Sequence, residues 1–260
     1  MNTVRLMLGF ARVAAVAAVA SFATLAIARA SPAVPGYIAT AVASPDRPAV
    51  DRQRDAARKP AEVIAFSKMR PGWIVADLIP LTGYYDRIFA GVVGSKGHVY
   101  GFYPTELAKI LKKNPLPPNG GTPDAKFPNF TALVAPANDF ATPVPVDLVW
   151  LSDNYHDFHD PFFAPADIAK INAAVFKALK PGGIYLIVDH SAEKGSGLAA
   201  TNTLHRIDEA AVKKEVEAAG FQLVGESDVL RNPADDRTKK IFDPAIRGRT
   251  DQFVLRFRKP

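Results

Sequence analysis

The sequence predicts an α/β domain built on a doubly wound, mostly parallel sheet of seven strands. Short apolar runs alternate with amphipathic segments through most of the 260 residues, as expected when helices connect parallel strands. The fifth apolar run, 184–189, shows no polar alternation, which is typical of a strand covered on both faces. No clear helix separates the last two strands, so we expect them to be antiparallel.

Hydrophobic spacing and turn residues give the order of the elements. Helical spacing extends from Asp51 to Met69 and ends at Pro71-Gly72. The predicted strands are 73–78, 98–102, 130–134, 147–152, 184–189, 221–228 and 252–258, and the other predicted helices are 84–93, 106–113, 165–179 and 209–219.

The first thirty residues have the pattern of a secretory signal peptide. Arg5 and Arg12 precede an uncharged, Ala-rich run, and Ala28-Arg29-Ala30 is a small-x-small cleavage site. The alternative is a retained membrane anchor, but only sixteen residues separate Arg12 from Arg29, short of the roughly 20 needed to span a bilayer. We expect residues 1–30 to be removed on export, residues 31–50 to form a Pro-rich linker, and residues 51–260 to form the folded domain.

Charge and cysteine content exclude several function classes. Removal of the three arginines in residues 1–30 lowers the formal charge from +6 to +3, too small an excess to predict nucleic-acid binding. The chain has no cysteine, so it can form neither a disulfide nor a zinc site built on thiolates. We expect a small-molecule ligand or substrate and no stable membrane anchor after cleavage; the sequence does not indicate the oligomeric state.

The segment Ile74–Gly83 predicts where a ligand binds. It consists of a buried strand, an acidic residue (Asp77), a tight loop, and a helix that begins near Tyr84. Doubly wound domains bind nucleotide-type cofactors at this place. Such loops normally contain several glycines, because glycine adopts positive φ angles and lets a ligand approach the backbone. Here the loop residues 79–81 are Ile, Pro and Leu, and only Gly83 is a glycine.

A second polar cluster, 152–160, follows the fourth predicted strand. His156 is the candidate general base, because histidine titrates near neutral pH, and Asp153 and Tyr155 are candidates to orient a substrate. Two alternatives stay open: a structural polar loop, and metal binding by His156, His159 and a neighbouring aspartate. Histidines three residues apart lie together only in a helix, so we assign no metal ligands from the sequence.

Two later segments carry further polar residues. Asp189 and His190 end the fifth strand on the side where α/β clefts lie, and they could contact a substrate or simply end the strand. Asp208 is predicted to cap the following helix. His205 and Arg206 precede that cap and could reach the edge of the cleft.

Several motifs occur in the order found in one large enzyme family. Lys180-Pro-Gly-Gly183 precedes an apolar strand, Ala218-Ala-Gly-Phe221 precedes the sixth strand, and MRPGWIVAD leads through the first strand to Asp77. From about Asp51 to Pro260, the chain resembles the class I S-adenosylmethionine-dependent methyltransferases. It is most similar to the exported, predicted methyltransferases of bacteria, with RKPAEVIAF, GSKGHVYG and LHRIDEAAVKKEVEAAGF.

The resemblance implies a Rossmann-like methyltransferase fold, a periplasmic location, and transfer of a methyl group from S-adenosylmethionine to a small-molecule acceptor. It implies that Asp77 and Gly83 contact the methionine part of the cofactor. It places Tyr103 at or near the position of the residue that holds the ribose, and Asn138 and Asp139 in the stretch that contacts adenine.

An alternative is a degenerate methyltransferase fold that binds a ligand or partner without catalysis. Ile79 and Leu81 stand where the resemblance expects two glycines, and the Tyr103 phenol cannot clamp a ribose diol as a carboxylate does. The expected export also separates the protein from a methyl donor made in the cytosol. Weak or absent binding of S-adenosylmethionine is therefore predicted.

Overall fold

Seven strands form one mixed sheet in the computed structural model, which describes residues 33–111 and 127–260. The strand order is β3-β2-β1-β4-β5-β7-β6; β1 to β5 run parallel, and β7 is antiparallel to both of its neighbours. The predicted fold class, including the antiparallel end of the sheet, is confirmed. The strands are β1 (Ile74–Leu78), β2 (His98–Pro104), β3 (Phe130–Ala135), β4 (Val146–Ser152), β5 (Leu179–His190), β6 (Gln222–Ser227) and β7 (Gln252–Arg258).

Helices cover both faces of the sheet. Residues from α1, α4 and α5 belong to a core on one face, whereas residues from α7 and α9 belong to a second core on the other face. The α-helices of the described residues are α1 (Gly36–Val42), α2 (Ala49–Arg52), α3 (Asp55–Arg58), α4 (Pro60–Ser67), α5 (Tyr84–Val93), α6 (Glu106–Leu111), α7 (Ile168–Ala178), α8 (Thr201–Leu204) and α9 (Glu209–Ala218).

The central strands supply alternate side chains to these two cores. Leu148 and Trp150 of β4 pack in the core beneath α5, and Val149 and Leu151 pack in the core beneath α7. Successive strand residues point to opposite faces, so a strand buried on both sides must be apolar throughout. This explains why β4 and β5 are continuous apolar runs in the sequence.

The first correction concerns the predicted Pro-rich linker, residues 31–50. Residues Gly36–Val42 form α1, and Ile38 is fully buried in the core shared with α4 and α5. A Cβ atom added at Gly91 of α5 would lie 3.1 Å from the Ala41 Cβ, so the two helices pack closely where α5 has no side chain. The predicted linker is therefore wrong for Gly36–Val42, which form a helix of the core. The predicted signal peptide, residues 1–30, lies outside the described residues.

The second correction concerns the helical segment predicted from Asp51 to Met69. It is divided into α2, α3 and α4, and Lys59, between α3 and α4, has a φ of 42°. Pro60 begins α4, and proline disfavours the helical conformation in the residue before it. The break directs α3 towards the carboxyl ends of the strands. There Arg58 of α3 and its N-cap residue, Arg54, line the cleft described below.

The position of β1 between β2 and β4 creates a crevice. The chain leaves β1 towards β2 on one side and returns through β4 on the other, and ligands of open α/β sheets bind at such a reversal of strand order. Among residues 33–111 and 127–260, no helix is long and apolar enough to span a membrane.

Candidate functional site

A cleft of about 800 Å³ opens at the carboxyl ends of β1, β4 and β5. This volume lies within the range of small-molecule sites. One half is formed by α3 and the loop between β1 and α5, and the other half by the segments that follow β4 and β5 and precede β7. The side chains on which the argument depends are Arg54, Arg58, Asp77, Leu81, Asp153, His156, Asp157, His190, His205 and Gln252.

The loop after β1 has a glycine-like backbone without the glycines. The φ angles of Ile79, Leu81 and Gly83 are 69°, 51° and 74°. For a residue with a Cβ atom, the left-handed region costs roughly 1–2 kcal/mol, and a β-branched residue is rare there. The surrounding structure holds this conformation: the Ile79 N–H donates a 3.0 Å hydrogen bond to the Phe102 carbonyl, and the Gly83 N–H donates a 2.9 Å bond to the Pro80 carbonyl.

The two substituted side chains lie in different environments. Ile79 is only 4% exposed and packs in the core with Leu78 and Phe102, so most of its side chain is directed away from solvent. Leu81 is 42% exposed and lines the cleft. Leu81 is therefore the residue of this pair whose side chain takes space beside a ligand, while Ile79 contributes mainly to the core.

Asp77 lines the cleft as predicted, but its carboxyl group is paired with a second acid. Burial and the neighbouring Asp86 of α5 raise the pKa of Asp77 well above its usual range, and burial raises the pKa of Asp86 to about 7. Among the described residues, neither Asp86 oxygen finds another hydrogen-bond donor. The two buried carboxyl groups therefore share a proton at neutral pH, since both cannot ionise side by side.

Tyr103 does not face the cleft, which corrects its predicted role at the ribose. Its side chain is fully buried in the core beneath α5, and burial, with Asp86 and Asp77 nearby, raises the pKa of its hydroxyl. The nearby Glu106 is also unavailable, because its carboxylate accepts hydrogen bonds from the Ala137 N–H at 3.1 and 3.3 Å. No carboxylate from this part of the described chain reaches the cleft after β2.

Asn138 and Asp139 also lie outside the cleft lining, contrary to the predicted contact with adenine. Asn138 holds the segment before α7: its side-chain amide donates to the Pro165 carbonyl at 3.0 Å and its oxygen accepts from the Asp167 N–H at 2.8 Å. Asp139 is exposed in a 3-10 turn. Neither Asn138 nor Asp139 therefore lines the cleft in which a ligand would bind.

Gly83, which was predicted to contact the cofactor, serves as the N-cap of α5 and is not part of the cleft lining either.

Asp153 joins three parts of the cleft. Its carboxylate accepts a 2.8 Å hydrogen bond from Arg58 of α3 and a 2.7 Å bond from Gln252 of β7, and the His190 Nε2 lies 4.0 Å away. Burial raises the pKa of Asp153, but the charge of Arg58, together with the hydrogen bond from Gln252, lowers it by more, so the net pKa lies below its usual range. Asp153 is thus ionised and fixed at the centre of the cleft.

His156 has both ring nitrogens engaged, which argues against the predicted role as a base. Its Nδ1 lies 2.8 Å from Asp189 Oδ1, and its Nε2 lies 3.2 Å from Asp157 Oδ1. The ring is only 1% exposed. Burial lowers the pKa of His156, but Asp189 and Asp157 raise it by more, so the net pKa lies well above the usual range. Because both nitrogens already have carboxylate partners and the pKa is raised, the ring is a poor acceptor for a substrate proton.

Asp189 and His205 complete this cluster. The Asp189 carboxylate is fully buried and accepts hydrogen bonds from the backbone N–H groups of His156 and His190, at 2.8 and 2.7 Å, in addition to the imidazole bond. The His205 Nδ1 lies 3.3 Å from the His156 Nε2 and 3.5 Å from Asp157 Oδ1. Chain position had suggested only that both residues approach the cleft; nothing in the sequence indicated that they meet His156.

Tyr155 points away from the cleft, which corrects its predicted role in orienting a substrate. Its hydroxyl donates a 3.0 Å hydrogen bond to Glu215 of α9 and accepts one from Asn172 of α7 at 2.9 Å. His159, which the metal alternative paired with His156, also contacts Glu215, at 3.2 Å. The 3-10 turn His156–His159 therefore directs His156 towards the cleft and Tyr155 and His159 towards the helices.

His190 lines the cleft with one ring nitrogen that makes no hydrogen bond to the described residues. Its Nδ1 lies 2.8 Å from the Thr250 hydroxyl, and its Nε2 has only Asp153 nearby, at 4.0 Å. Burial lowers the pKa of His190, and Asp153 and Asp189 offset this effect only in part. The neutral ring has an open nitrogen that lines the cleft, so His190 can accept a proton or a hydrogen bond from a ligand.

Arginines of α3 and its N-cap form a cationic wall that the sequence did not reveal. Arg58 lies over the Tyr84 ring at 4.9 Å and Arg54 at 5.2 Å, within the range of cation–π contacts. Both line the cleft. The sequence predicted only one helical segment from Asp51 to Met69, and the break at Lys59 that redirects its first part was not predicted.

No family model and no curated protein matches the sequence. Solved structures do match it. A SAM-dependent methyltransferase from Aquifex aeolicus is 18% identical, with a TM-score of 0.52 over 81% of this chain and 97% of that protein. A methyltransferase from Mesorhizobium loti is 16% identical, with a TM-score of 0.52 over 78% and 97%. The [4+2]-cyclase SpnF is 17% identical, with a TM-score of 0.54 over 82% and 81%.

The fold is that of the class I methyltransferases. At these identities the likeness is one of fold, and it agrees with the observed strand order and the antiparallel β7. The segment Ile79–Gly83 follows β1, where the sequence predicted a cofactor loop. Since one of the similar folds, SpnF, is a [4+2]-cyclase, the reaction of this protein depends on its own site residues.

Proposed function

We propose that the protein is a methyltransferase that binds S-adenosylmethionine weakly and acts on a small molecule held at the β4 and β5 side of the cleft. The observation that carries this proposal is the backbone of the loop after β1. Ile79 and Leu81 retain the left-handed conformation that glycine would adopt freely, at a cost of about 1–2 kcal/mol each. Strained backbone of this kind persists mainly at functional sites.

The fit of S-adenosylmethionine differs between its two ends. The loop backbone and Asp77 could hold the methionine part, and the exposed Leu81 side chain narrows the space beside them. At the ribose, Tyr103 is buried and Glu106 is engaged with Ala137, so a charge-assisted pair of hydrogen bonds is missing. Loss of one such partner costs about 1.5–3 kcal/mol, which supports weak binding.

The residues at the other side of the cleft suit an acceptor. When bound, S-adenosylmethionine supplies an electrophilic methyl group. Asp153, fixed by Arg58 and Gln252, can orient a hydroxyl or amine of the acceptor, and the open Nε2 of His190 can take its proton. Arg54, which stacks on Tyr84, favours an acceptor with some negative charge.

A second candidate is a methyltransferase-fold protein that binds its ligand without S-adenosylmethionine. The observation that favours it is the proton shared by Asp77 and Asp86. One shared proton leaves the pair a single negative charge divided between Asp77 and Asp86, so Asp77 attracts the charged amine of methionine less than a fully ionised carboxylate would. Export, which we still propose from the sequence of residues 1–30, would also remove the protein from the cytosolic methyl donor; mass spectrometry of the native N-terminus tests that point.

Calorimetric titration with S-adenosylmethionine tests the proposal. We expect the wild-type chain to bind with a Kd above about 100 μM, and Leu81→Gly to lower that Kd about tenfold or more, because the glycine frees the space that the leucine takes. Leu198→Gly is the matched control, since Leu198 is 43% exposed and lies outside the cleft; we expect it to leave the Kd unchanged.

The other outcomes separate the two candidates. If neither the wild type nor Leu81→Gly binds the cofactor while both remain folded, the methyltransferase proposal is wrong and the second candidate stands. If the wild type binds at low micromolar concentration, the cofactor proposal stands and the argument from Leu81 fails.

A further inference from the structure

Three side chains at the second half of the cleft bring metal-binding atoms together. His156 Nε2, Asp157 Oδ1 and His205 Nδ1 all lie within 4.8 Å of one another. We propose that these three atoms bind a zinc ion, with a fourth coordination position open to the cleft. The proposal does not depend on S-adenosylmethionine binding. The sequence left open a metal site of His156, His159 and a neighbouring aspartate; in the structure His159 contacts Glu215, and His205, which the sequence did not indicate as a ligand, takes its place.

The distances between the three atoms match tetrahedral coordination. They are 3.2 Å from His156 Nε2 to Asp157 Oδ1, 3.3 Å from His156 Nε2 to His205 Nδ1, and 3.5 Å from His205 Nδ1 to Asp157 Oδ1. Zinc bonds of about 2.0–2.1 Å place tetrahedral ligands about 3.3–3.4 Å apart. Octahedral magnesium, with bonds of about the same length, would place adjacent ligands about 2.8–3.0 Å apart, and calcium takes oxygen rather than imidazole ligands, so the triangle with its two imidazoles favours zinc over either ion.

Outer partners already orient two of the three ligands. Asp189 holds the Nδ1 of His156 at 2.8 Å, which leaves Nε2 for the metal in the carboxylate–histidine–metal arrangement common at zinc sites. The Asn154 amide donates a 2.8 Å hydrogen bond to Asp157 Oδ2, which leaves Oδ1 for the metal. For these two residues, the ligand atom is the one that the outer partner, Asp189 or Asn154, does not engage.

The buried charge of the cluster is a second, independent observation. Asp189 and Asp160 are 0% and 3% exposed, and Asp157 is 9% exposed. In the described part of the chain, neither Asp160 oxygen makes a hydrogen bond within normal distance, and no lysine or arginine pairs with these aspartates. Buried carboxylates need a compensating charge. A protonated His156 would supply one positive charge to these carboxylates, whereas a divalent cation supplies two, and zinc binding displaces any proton from the ligand nitrogens.

The open position gives this ion a chemical role. All three ligand residues line the cleft, and Phe162 and Phe242 lie beside His205 at ring distances of 6.0 and 5.0 Å. Three protein ligands and one open position are the pattern of catalytic rather than structural zinc. Such an ion binds water or a nucleophilic oxygen of a ligand and lowers its pKa. The ligand class is thus a small molecule with a hydroxyl or other oxygen donor.

Metal analysis of the tag-free full chain tests this inference, because a histidine tag would itself bind zinc. The protein is stripped with a chelator, dialysed against zinc, and measured by plasma mass spectrometry and by competition with a chromophoric chelator. We expect one zinc per chain and a raised melting temperature. Cobalt substituted for zinc should give the intense visible absorption of four-coordinate geometry.

His205→Asn is the decisive variant, because asparagine tolerates the left-handed backbone of residue 205 (φ 53°) but does not replace the imidazole. We expect at least tenfold weaker zinc binding and no melting shift, as for Asp157→Asn. His98→Asn is the control, since His98 lies at the start of β2 and contacts Thr131; it should bind zinc as the wild type does. Wild-type protein with no zinc, or equal zinc in His205→Asn, would overturn the site.

Discussion

The two halves of the cleft use buried aspartates in opposite ways. In the half after β1, Asp77 faces a second buried acid, Asp86, and the pair retains a proton at neutral pH. In the half after β5, Asp189 accepts three hydrogen bonds, two from backbone N–H groups and one from His156. In the first half, the Asp77–Asp86 pair thus carries less negative charge than two carboxylates would, beside the arginines of the cationic wall. In the second half, the Asp189 carboxylate is held by an ordered set of donors.

This difference indicates which half is prepared for chemistry. The polar side chains after β4 and β5 are each held by a second residue, as Asp153 is by Arg58 and Asp157 is by Asn154. Preorganised groups of this kind are what a binding or catalytic site requires. The loop after β1 has positive φ angles at Ile79 and Leu81, which carry side chains, and this agrees with the weak cofactor binding proposed above.

The largest expected effect concerns the pH dependence of stability in the first half. A pKa of about 7 for Asp86 means that, between pH 4 and 7, the folded state holds a proton that the unfolded state releases. The free energy of unfolding therefore falls as pH rises through this range and levels off above it. We expect Asp86→Asn to gain roughly 3 kcal/mol relative to wild type between pH 4 and 8.

Urea unfolding of both proteins across this pH range measures the effect. The charged and titratable groups near Asp86 are Asp77, Arg87 and Tyr103, all retained in the variant. If the stability difference between Asp86→Asn and wild type is the same at pH 4 and pH 8, the two carboxyl groups do not share a proton.

The second prediction compares one aspartate from each half directly. Asp189→Asn removes a carboxylate that serves three donors, so we expect the free energy of unfolding at pH 7 to fall by about 2–3 kcal/mol. Asp77→Asn keeps a neutral group beside Asp86, so we expect a change within about 1 kcal/mol, or a gain.

Both variants should be unfolded in urea with a chelator present, so that bound metal contributes nothing. Asp139→Asn is the control, because this carboxylate is exposed and substitutions at such sites change stability by about 0.5 kcal/mol or less. Equal losses for Asp189→Asn and Asp77→Asn would remove the contrast between the two halves.

The smallest effect separates the two substituted positions of the loop. Ile79→Gly should lower the free energy of unfolding by about 2 kcal/mol, because the loss of a buried side chain outweighs the relief of left-handed strain. Leu81→Gly should stay within about 1 kcal/mol of wild type, because Leu81 is exposed and the relief offsets the added chain entropy. Thermal unfolding measures both; a larger loss for Leu81→Gly would show that its side chain supports the loop.

The sequence by itself determined the sheet and its approximate boundaries. The predicted helix 84–93 coincides with α5, and the predicted last strand coincides with β7. Asp208 caps α9 as predicted, with its carboxylate accepting from the Ala210 N–H at 3.0 Å. These features depend on hydrophobic spacing and on side chains that bond to their own backbone, and both are local properties of the chain.

The tertiary structure decided which polar residues meet. Asp189 and His205 follow His156 by 33 and 49 residues, and no local pattern in the sequence encodes contacts over such separations. The same holds for the helix break that sends Arg58 to Asp153, and for Tyr103, which was predicted to follow the second strand but lies within β2 and is fully buried. Spacing along a chain fixes which elements form, whereas the packing of those elements fixes which side chains converge, because distant segments interact only after the sheet is assembled.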